Sequence, residues 1–489
     1  MESLADEVWD VVINGTGLQQ SLLALALSRS NKKVLHLDRH QYYGGSSAAL
    51  TLDEAEAWAA ENAASDPEKL FRAAIFTRSD GAKASLGPSR AYTLSLSPQI
   101  VHCRSELVNQ LVSSRAFRCL EFLAVGSFFI YQPEKDGEKS TLVKLPSTRE
   151  DVFLTTALSA KAKRSMMKFL KLVLDYESED NKSSWELFAD EPLSSFLASS
   201  FKLDQSLQTF ITTLTLSLDD KISTGSGIAA IYRHLNSMGV FGHGFAAVYP
   251  KFGGLAEIIQ ASCRACAVGG AAYVLGTGVD DSRPISDEDA NVQVTITGGI
   301  TVKARAFVTS PETPSGNMMT SKLVAVVDTK PTHLFQAPVD GGQIPAVVVV
   351  AFPAKSLSEA QEHPVYAMIH SSDTGECPSS QCVVYFSSLA YSSSKTVLHI
   401  ALTLLLCSIA TPESPDPKSL VQFYYEQAQS TSSLVEDGAT VTVPCTGSDL
   451  AFNDDLLQPV QEAWSILTKN DENAGEYMKF VDREPVDDE

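Results

Sequence analysis

No apolar run in the 489-residue sequence approaches the ~18 residues that span a bilayer, so no membrane-crossing helix is expected. The acidic opening Met1-Glu-Ser-Leu-Ala-Asp carries no secretory or transit signal, and Pro485-Val-Asp-Asp-Glu489 offers no prenylation cysteine. These absences predict a cytoplasmic protein. Basic residues are scarce: 38 Lys and Arg against 59 Asp and Glu give a net charge of −21. Such a chain repels nucleic-acid backbones and anionic membrane surfaces and favours basic partners, so no nucleic-acid role is expected. The eight cysteines show no disulfide framework. Cys263 and Cys266 form a CxxC, but no second Cys pair or spaced His pair completes a zinc site, and both are read as small buried hydrophobes. Nine histidines are dispersed without metal spacing. His243, between Gly242 and Gly244, reads as a turn residue rather than a catalytic base, so neither a metal nor a catalytic residue is assigned.

What is present is a large apolar content, 44%, enough for two to three domains. The opening is a βαβ pattern: a short apolar strand from Val8 to Asn14, a helix from Leu18 to Ser30 and a strand from Lys33 to Leu37. Residues 51–88 are rich in Ala, Asp, Glu and Ser, and read as an insertion with a mobile loop over Ser79 to Pro88. From 132 to 223 the texture becomes helical, with Met166, Phe169, Leu170, Val173 and Leu174 at helical spacing. Beyond Gly225 the α/β texture returns. A helix is expected over Leu255 to Val268, a strand over Tyr273 to Leu275, and a hairpin of Val292 to Thr297 and Thr301 to Val308 through Gly298-Gly299. Further strands are expected at Ala346 to Phe352, Gln381 to Phe386 and Val397 to Leu405, with a last helix from Leu457 carrying Val460, Ala463, Trp464 and Leu467. The expected organisation is a discontinuous α/β domain over 1–131 and 224–480, an inserted all-helical domain over 132–223, and an acidic tail over 481–489.

Gly15-Thr-Gly17-Leu-Gln-Gln20 occupies the strand-to-helix turn where a dinucleotide fingerprint belongs, and Asp38 follows at the spacing of a ribose acceptor. Gln20, however, holds the third glycine position, where a side chain obstructs the approach of helix to strand. Tyr42-Tyr43-Gly44-Gly45 is similar to the glycine doublet of flavin amine oxidases, with Ser46 where those enzymes carry a cofactor-binding arginine. Thr446-Gly447-Ser448-Asp449 resembles the final Gly-Asp contact of that fold with one residue added. The expectation is an FAD/NAD(P)-binding-like α/β fold without cofactor, in which Gly15, Gly17 and Asp38 are a vestigial dinucleotide site. Glu257 and Arg264, seven apart on one helix between the doublets Gly253-Gly254 and Gly269-Gly270, share a face two turns apart and suggest a protein-binding platform.

Gly15-Thr-Gly17-Leu, Lys33-Val-Leu-His-Leu-Asp-Arg39, Tyr42-Tyr-Gly-Gly45 and the block from Tyr249 through Tyr273 resemble the Rab escort proteins and the closely similar Rab GDP dissociation inhibitors. Against that family the second block carries a one-residue insertion at Leu255-Ala256 and has Ser262 in place of an aromatic residue. The resemblance implies that Tyr43, Glu257, Arg264 and Val274 grip GDP-bound Rab, and that Leu107 and Leu111 receive the Rab C-terminal tail. It further implies that the helical domain shelters a geranylgeranyl lipid among Met166, Leu170, Val173, Leu207, Phe210 and Leu214. Hiding its ~20 carbons at ~0.8 kcal/mol each is bounded by roughly 16 kcal/mol. Phe169 is the implied docking residue for the Rab geranylgeranyltransferase alpha/beta heterodimer, which holds the catalysis, with transient membrane contact on delivery. Leu145-Pro-Ser-Thr-Arg-Glu-Asp-Val-Phe153, Arg164-Ser-Met-Met-Lys-Phe-Leu170 with Asp175-Tyr-Glu177, and Cys263-Arg-Ala-Cys-Ala-Val268 lean towards the escort branch. The alternatives are a dissociation inhibitor that recycles prenylated Rabs, and a flavin-dependent oxidoreductase.

Overall fold

The computed structural model describes residues 4–82, 85–134, 140–145, 160–311, 313–314, 316, 318–337, 341–429, 433–444, 447, 449–469, 471 and 475–481. The opening βαβ unit forms as expected. Val8–Asn14 lies parallel to Val34–Asp38, with Val11 opposite Val34, and the helix Leu18–Leu27 connects them. Ala272–Leu275 extends this sheet in parallel beyond Val34–Asp38, and Ile300–Thr309 lies parallel on the other side of Val8–Asn14. All ten residues of Leu18–Leu27 are buried, because the helix sits between the sheet and the helices Leu255–Val268 and Gln458–Leu467. Its polarity is correspondingly low, with no acidic or basic residue in its first or last turn. The hairpin of Val292–Ile296 and Ile300–Thr309 turns through Gly298 and Gly299, both at positive φ, where glycine alone is unstrained.

A second, ten-stranded sheet is larger than the sequence suggested. In spatial order its main path runs Phe71–Arg78, Ser419–Ala428, Met319–Val327, Cys382–Leu389, Val365–Ser371, Val347–Phe352, Phe122–Gln132, Ala247–Pro250 and Val101–His102. Two expectations change here. The apolar stretch from Val397 to Leu405 is not a strand but part of the helix Ser394–Ile409. Its buried residues Val397, Leu398, Ala401, Leu402, Leu405 and Ile409 keep the 3.6-residue period against one face of the sheet, which a continuous apolar run conceals. The segment 51–88 is not a loose insertion: Thr51 and Glu54 close a capping box on the helix Leu52–Glu61, and Phe71–Arg78 is the sheet's edge strand. Within the supposed mobile loop, Ser79 N donates to Leu420 O at 3.0 Å and Ala82 is buried; 83–84 lie outside the described residues.

The helices Ala160–Leu174, Glu179–Trp185, Leu193–Phe201, Gln205–Thr213 and Thr224–Ser237 cover the other face of this sheet. Of the segment 132–223, Thr141–Lys144 is a strand paired with Phe122–Gln132, and Thr224–Ser237, just past it, packs on Ala160–Leu174 and Leu193–Phe201. The escort-like block beyond Leu145 lies outside the described residues up to 159.

Phe169 corrects an expectation: it is a core residue. Its side chain is 0% exposed and meets Phe201 edge-on at 5.4 Å between ring centroids, because Met166, Phe169 and Val173 form the inward stripe of their helix while Lys168 and Lys171 take the outward one. Phe169→Ala should therefore cost about 3–5 kcal/mol of stability, read as a lower urea midpoint. A loss below ~1 kcal/mol would contradict this packing and return Phe169 to a surface role.

Candidate functional site

The turn after the first strand is built as a phosphate seat. Gly15 takes φ +89°, its amide donates to Leu37 O at 2.8 Å, and the helix N-terminus at Gly17 has no side-chain cap. Free amides and the helix dipole at such a point favour a pyrophosphate. The residues present do not fit one. Gln20 is buried and folds back over the turn, so that a Cβ on Gly17 would lie 2.6 Å from its Oε1 and one on Gly15 would lie 3.2 Å from its Nε2. Its Nε2 donates to Ser310 Oγ at 2.6 Å, closing the turn onto the end of Ile300–Thr309.

Asp38 is committed in the same way. Oδ2 accepts from Thr16 N at 2.7 Å and Thr16 Oγ1 at 2.6 Å, while Oδ1 accepts from His40 N at 2.8 Å and faces His40 Nδ1 at 3.1 Å. Burial works to raise its carboxyl, but the hydrogen bonds from His40 and Thr16 outweigh it and hold the pKa below the ordinary carboxylate value. Neither a free pyrophosphate seat nor a free ribose acceptor remains for a dinucleotide. A crevice of about 560 Å³ remains over the turn, lined by Gly15, Gly17, Gln20, Asp38 and Ser46. Of the Thr446 to Asp449 motif, 446 and 448 lie outside the described residues; Gln99 Nε2 donates to Gly447 O at 3.3 Å and Asp449 O at 2.8 Å.

The expected platform lies on the flank of this seat. The turn after Asp38 is rigid: Gly44 has φ +114°, and a Cβ there would meet Ala48 backbone at 2.7 Å. Tyr43 is half-buried, its ring 6.4 Å from that of Tyr273, in one apolar cluster with Cys263, Ala265 and Tyr273. The helix Leu255–Val268 forms where expected despite the inserted residue. Glu257 is half-buried on it, and burial raises its pKa. Arg264 is exposed. No ion pair between the two is present among the described residues. Val274 is not brought to Tyr43. It packs on the opposite side of the sheet with Leu35, Leu37 and Trp9, since successive strand residues alternate faces. Cys263 and Cys266 are buried, and burial pushes their thiols up to about 11 and about 12.

A buried carboxylate that sequence reading missed fixes the entry to this helix. Glu376 is 0% exposed; Oε1 accepts from Tyr249 Oη at 2.7 Å, and Oε2 meets His370 Nδ1 at 2.7 Å and accepts from Tyr385 Oη at 3.1 Å. Burial, and then the nearby carboxylate, push both tyrosine hydroxyls well above their ordinary value. The adjoining loop is locked onto Phe252, whose amide donates to Thr374 O at 2.8 Å. The partners of Glu376 stand on three separate strands, and no local pattern announces them.

Leu107 and Leu111 are buried, at 0% and 1% exposure, and contribute to the core rather than to a surface. The neighbouring side of their helix, Glu106–Ser113, opens instead on a groove of about 900 Å³ that includes Val108, Val112, Val240, Phe241, Arg104 and Arg115. Val112 and Phe241 are exposed. The spacing of Val108 and Val112 was a usable signal, masked by the stronger apolarity of the leucines one position earlier. The six lipid candidates do meet in one helical core, but it is closed: Met166, Val173, Leu207, Phe210 and Leu214 are buried and Leu170 is half-buried.

An α/β scaffold of the FAD/NAD(P)-binding type, with its own side chains packed into the dinucleotide turn, defines a class of flavoprotein-like proteins. Within that class, the family model described as GDP dissociation inhibitor matches residues 5–407, and the chain belongs to this family. It is 31% identical over 396 residues to the Rab proteins geranylgeranyltransferase component A of Candida albicans, covering 78% of this chain and 59% of the relative. The protein of the same name from Saccharomyces cerevisiae is 31% identical over 77% of this chain and 61% of its own length. A guanosine nucleotide diphosphate dissociation inhibitor of Arabidopsis thaliana is 31% identical over 55% of this chain and 56% of the relative. The chain thus spans about three fifths of the length of the first two relatives. In fold it is similar to a Rab GDI of Plasmodium falciparum (TM-score 0.67, 20% identity, 94% of this chain and 98% of the other). It is also similar to an oxidoreductase from Methanosarcina mazei (TM-score 0.57, 12% identity, 93% and 99%).

The seat also makes a pH prediction. His36 is fully buried with its Nε2 2.7 Å from Gly15 O, and burial lowers its pKa from 6.5 to about 4. The unfolded chain then binds the proton more readily between those values, so stability present above pH 6.5 is lost as the pH falls towards 4. At pH 5 this residue alone should remove ~2 kcal/mol. His36→Gln keeps a donor for Gly15 and does not titrate, so its denaturation midpoint should fall less than wild type between pH 7 and pH 5; equal falls would contradict the assignment.

Proposed function

We propose that the protein is a Rab escort protein. It binds GDP-bound Rab on the face carrying Tyr43, Glu257 and Arg264, presents the Rab C-terminus to the geranylgeranyltransferase alpha/beta heterodimer, and carries the lipidated product to membrane. The observation that carries this reading is the reach of the two fungal escort-named relatives, 78% and 77% of the chain, against 55%, 61% and 63% for three named dissociation inhibitors. The self-blocked dinucleotide seat supports a non-catalytic role, since the fold's ordinary chemistry has no place to occur. No described helix is long and apolar enough to cross a membrane.

The platform is suited to a protein partner. Arg264 offers a planar fork for a carboxylate or backbone carbonyl, and Tyr43 a rigid ring with a polar tip. The Rab tail contact is assigned to the groove beside Val112 and Phe241 in place of Leu107 and Leu111. A lipid in the helical layer must displace side chains of the closed core around Met166, Val173 and Phe210, so the layer opens on loading. The heterodimer's contact then belongs to the outer surface of these helices, where Leu174 and Leu187 are exposed, and not to Phe169.

A reconstituted reaction with unprenylated Rab·GDP, the catalytic heterodimer and geranylgeranyl diphosphate tests the proposal. Transfer should depend on added protein, and Arg264→Ala or Tyr43→Ala should reduce it about tenfold or more at limiting concentration. Absence of transfer, together with extraction of prenylated Rab from membranes, would make the protein a dissociation inhibitor. A visible flavin absorption band in the purified protein would overturn the reading of Gln20.

A further inference from the structure

The acid of the closed seat reaches further than the seat. Thr16 Oγ1 donates to Asp38 Oδ2 and also accepts from Gly44 N at 3.0 Å. Asp38 Oδ1 holds His40 N, and the His40 ring stacks on Tyr42 at 4.9 Å with 19° between planes. One carboxylate therefore grips the turn at both ends, at His40 directly and at Gly44 through a hydroxyl, and Tyr43 stands between them. The same stretch is tied from its other side, where Thr277 N donates to Asp38 O at 2.8 Å and Gly276 N to His40 O at 2.9 Å. The turn has little freedom at its exit, since Gly44 is packed on Ala48 backbone.

We infer that Asp38 and Thr16 are positioning residues for the partner-binding face: the acid that would meet a cofactor ribose in a dinucleotide enzyme here sets the place of Tyr43. This rests on the Rab reading of that face. A purely structural role for Asp38 makes a different statement, because loosening would then spread through the parallel sheet and the first helix.

Hydrogen exchange of the full chain, read by mass spectrometry on peptides covering 39–48 and 290–308, separates the two. Asp38→Asn and Thr16→Val should speed exchange over 39–48 by about tenfold and leave the 290–308 hairpin unchanged, while Thr16→Ser, which keeps the hydroxyl, should match wild type. Affinity for Rab·GDP should fall about tenfold in Asp38→Asn, and that loss should vanish on a Tyr43→Ala background, because the acid acts through Tyr43. Exchange that rises uniformly, or does not change over 39–48, overturns the inference, as does an affinity loss undiminished by Tyr43→Ala. If the local exchange pattern holds while wild type does not bind Rab·GDP, the positioning stands and the Rab reading falls.

Discussion

A polar group buried without solvent must be satisfied by fixed partners, and the Glu376 carboxyl meets that constraint at the joint of the molecule. Its partners Tyr249, His370 and Tyr385 come from three strands of the large sheet, and Tyr249 leads directly into the helix that carries Glu257 and Arg264. Leaving such a buried group without one of its hydrogen-bond partners costs about 1–3 kcal/mol, more than a typical single surface contact. The orientation of the exposed residues is thus set by groups that never meet solvent. Gly254, where a Cβ would lie 2.7 Å from Tyr249 Oη, is part of the same constraint: the chain turns into the helix against the hydroxyl that holds Glu376.

The blocked dinucleotide seat works by the same logic in a different place. Gln20 and Asp38 each take up with atoms of the chain the interactions that a ligand would otherwise make. The two regions converge on one flank, Asp38 through Tyr43 and Glu376 through the helix Leu255–Val268, so that both halves of the proposed Rab face are fixed from within. The helical layer is built otherwise. Its core around Phe169 and Val173 is apolar, and the buried polar groups of its helices bond locally, as Gln208 Nε2 does to Leu203 O at 2.7 Å.

Much of the first sheet was legible because its signals are local. Val8 to Asp38 shows a strand, a glycine turn and a helix in succession, and Gly298-Gly299 marks its hairpin. Gln20 was readable as an obstruction because the fingerprint assigns glycine to that position. Ser310 was not, lying 290 residues away with nothing in its neighbourhood to mark it. The large sheet was seen only in part, since its edge strand Phe71–Arg78 lies in a segment whose Ala, Asp, Glu and Ser content reads as an insertion, and its covering helix Ser394–Ile409 is apolar on nearly every side. At the proposed face, the resemblance pointed to Tyr43 and helical spacing to Glu257 and Arg264, but neither said which side of a strand or helix faces outward: Val274 turns to the opposite side, Leu107 and Leu111 turn in, and Val112 turns out. One position of register separates a core residue from a surface one, and sequence periodicity over eight residues does not resolve it.

The bond from Gln20 to Ser310 also bears on how the protein is supplied. In a flavoprotein the two halves of the seat are joined by a diffusing molecule, and the folded population follows that molecule's concentration. Here the bridging group is part of the chain and its local concentration is fixed by the fold. On the proposed reading, in which no flavin is held, the translated chain needs no loading step before this scaffold is finished.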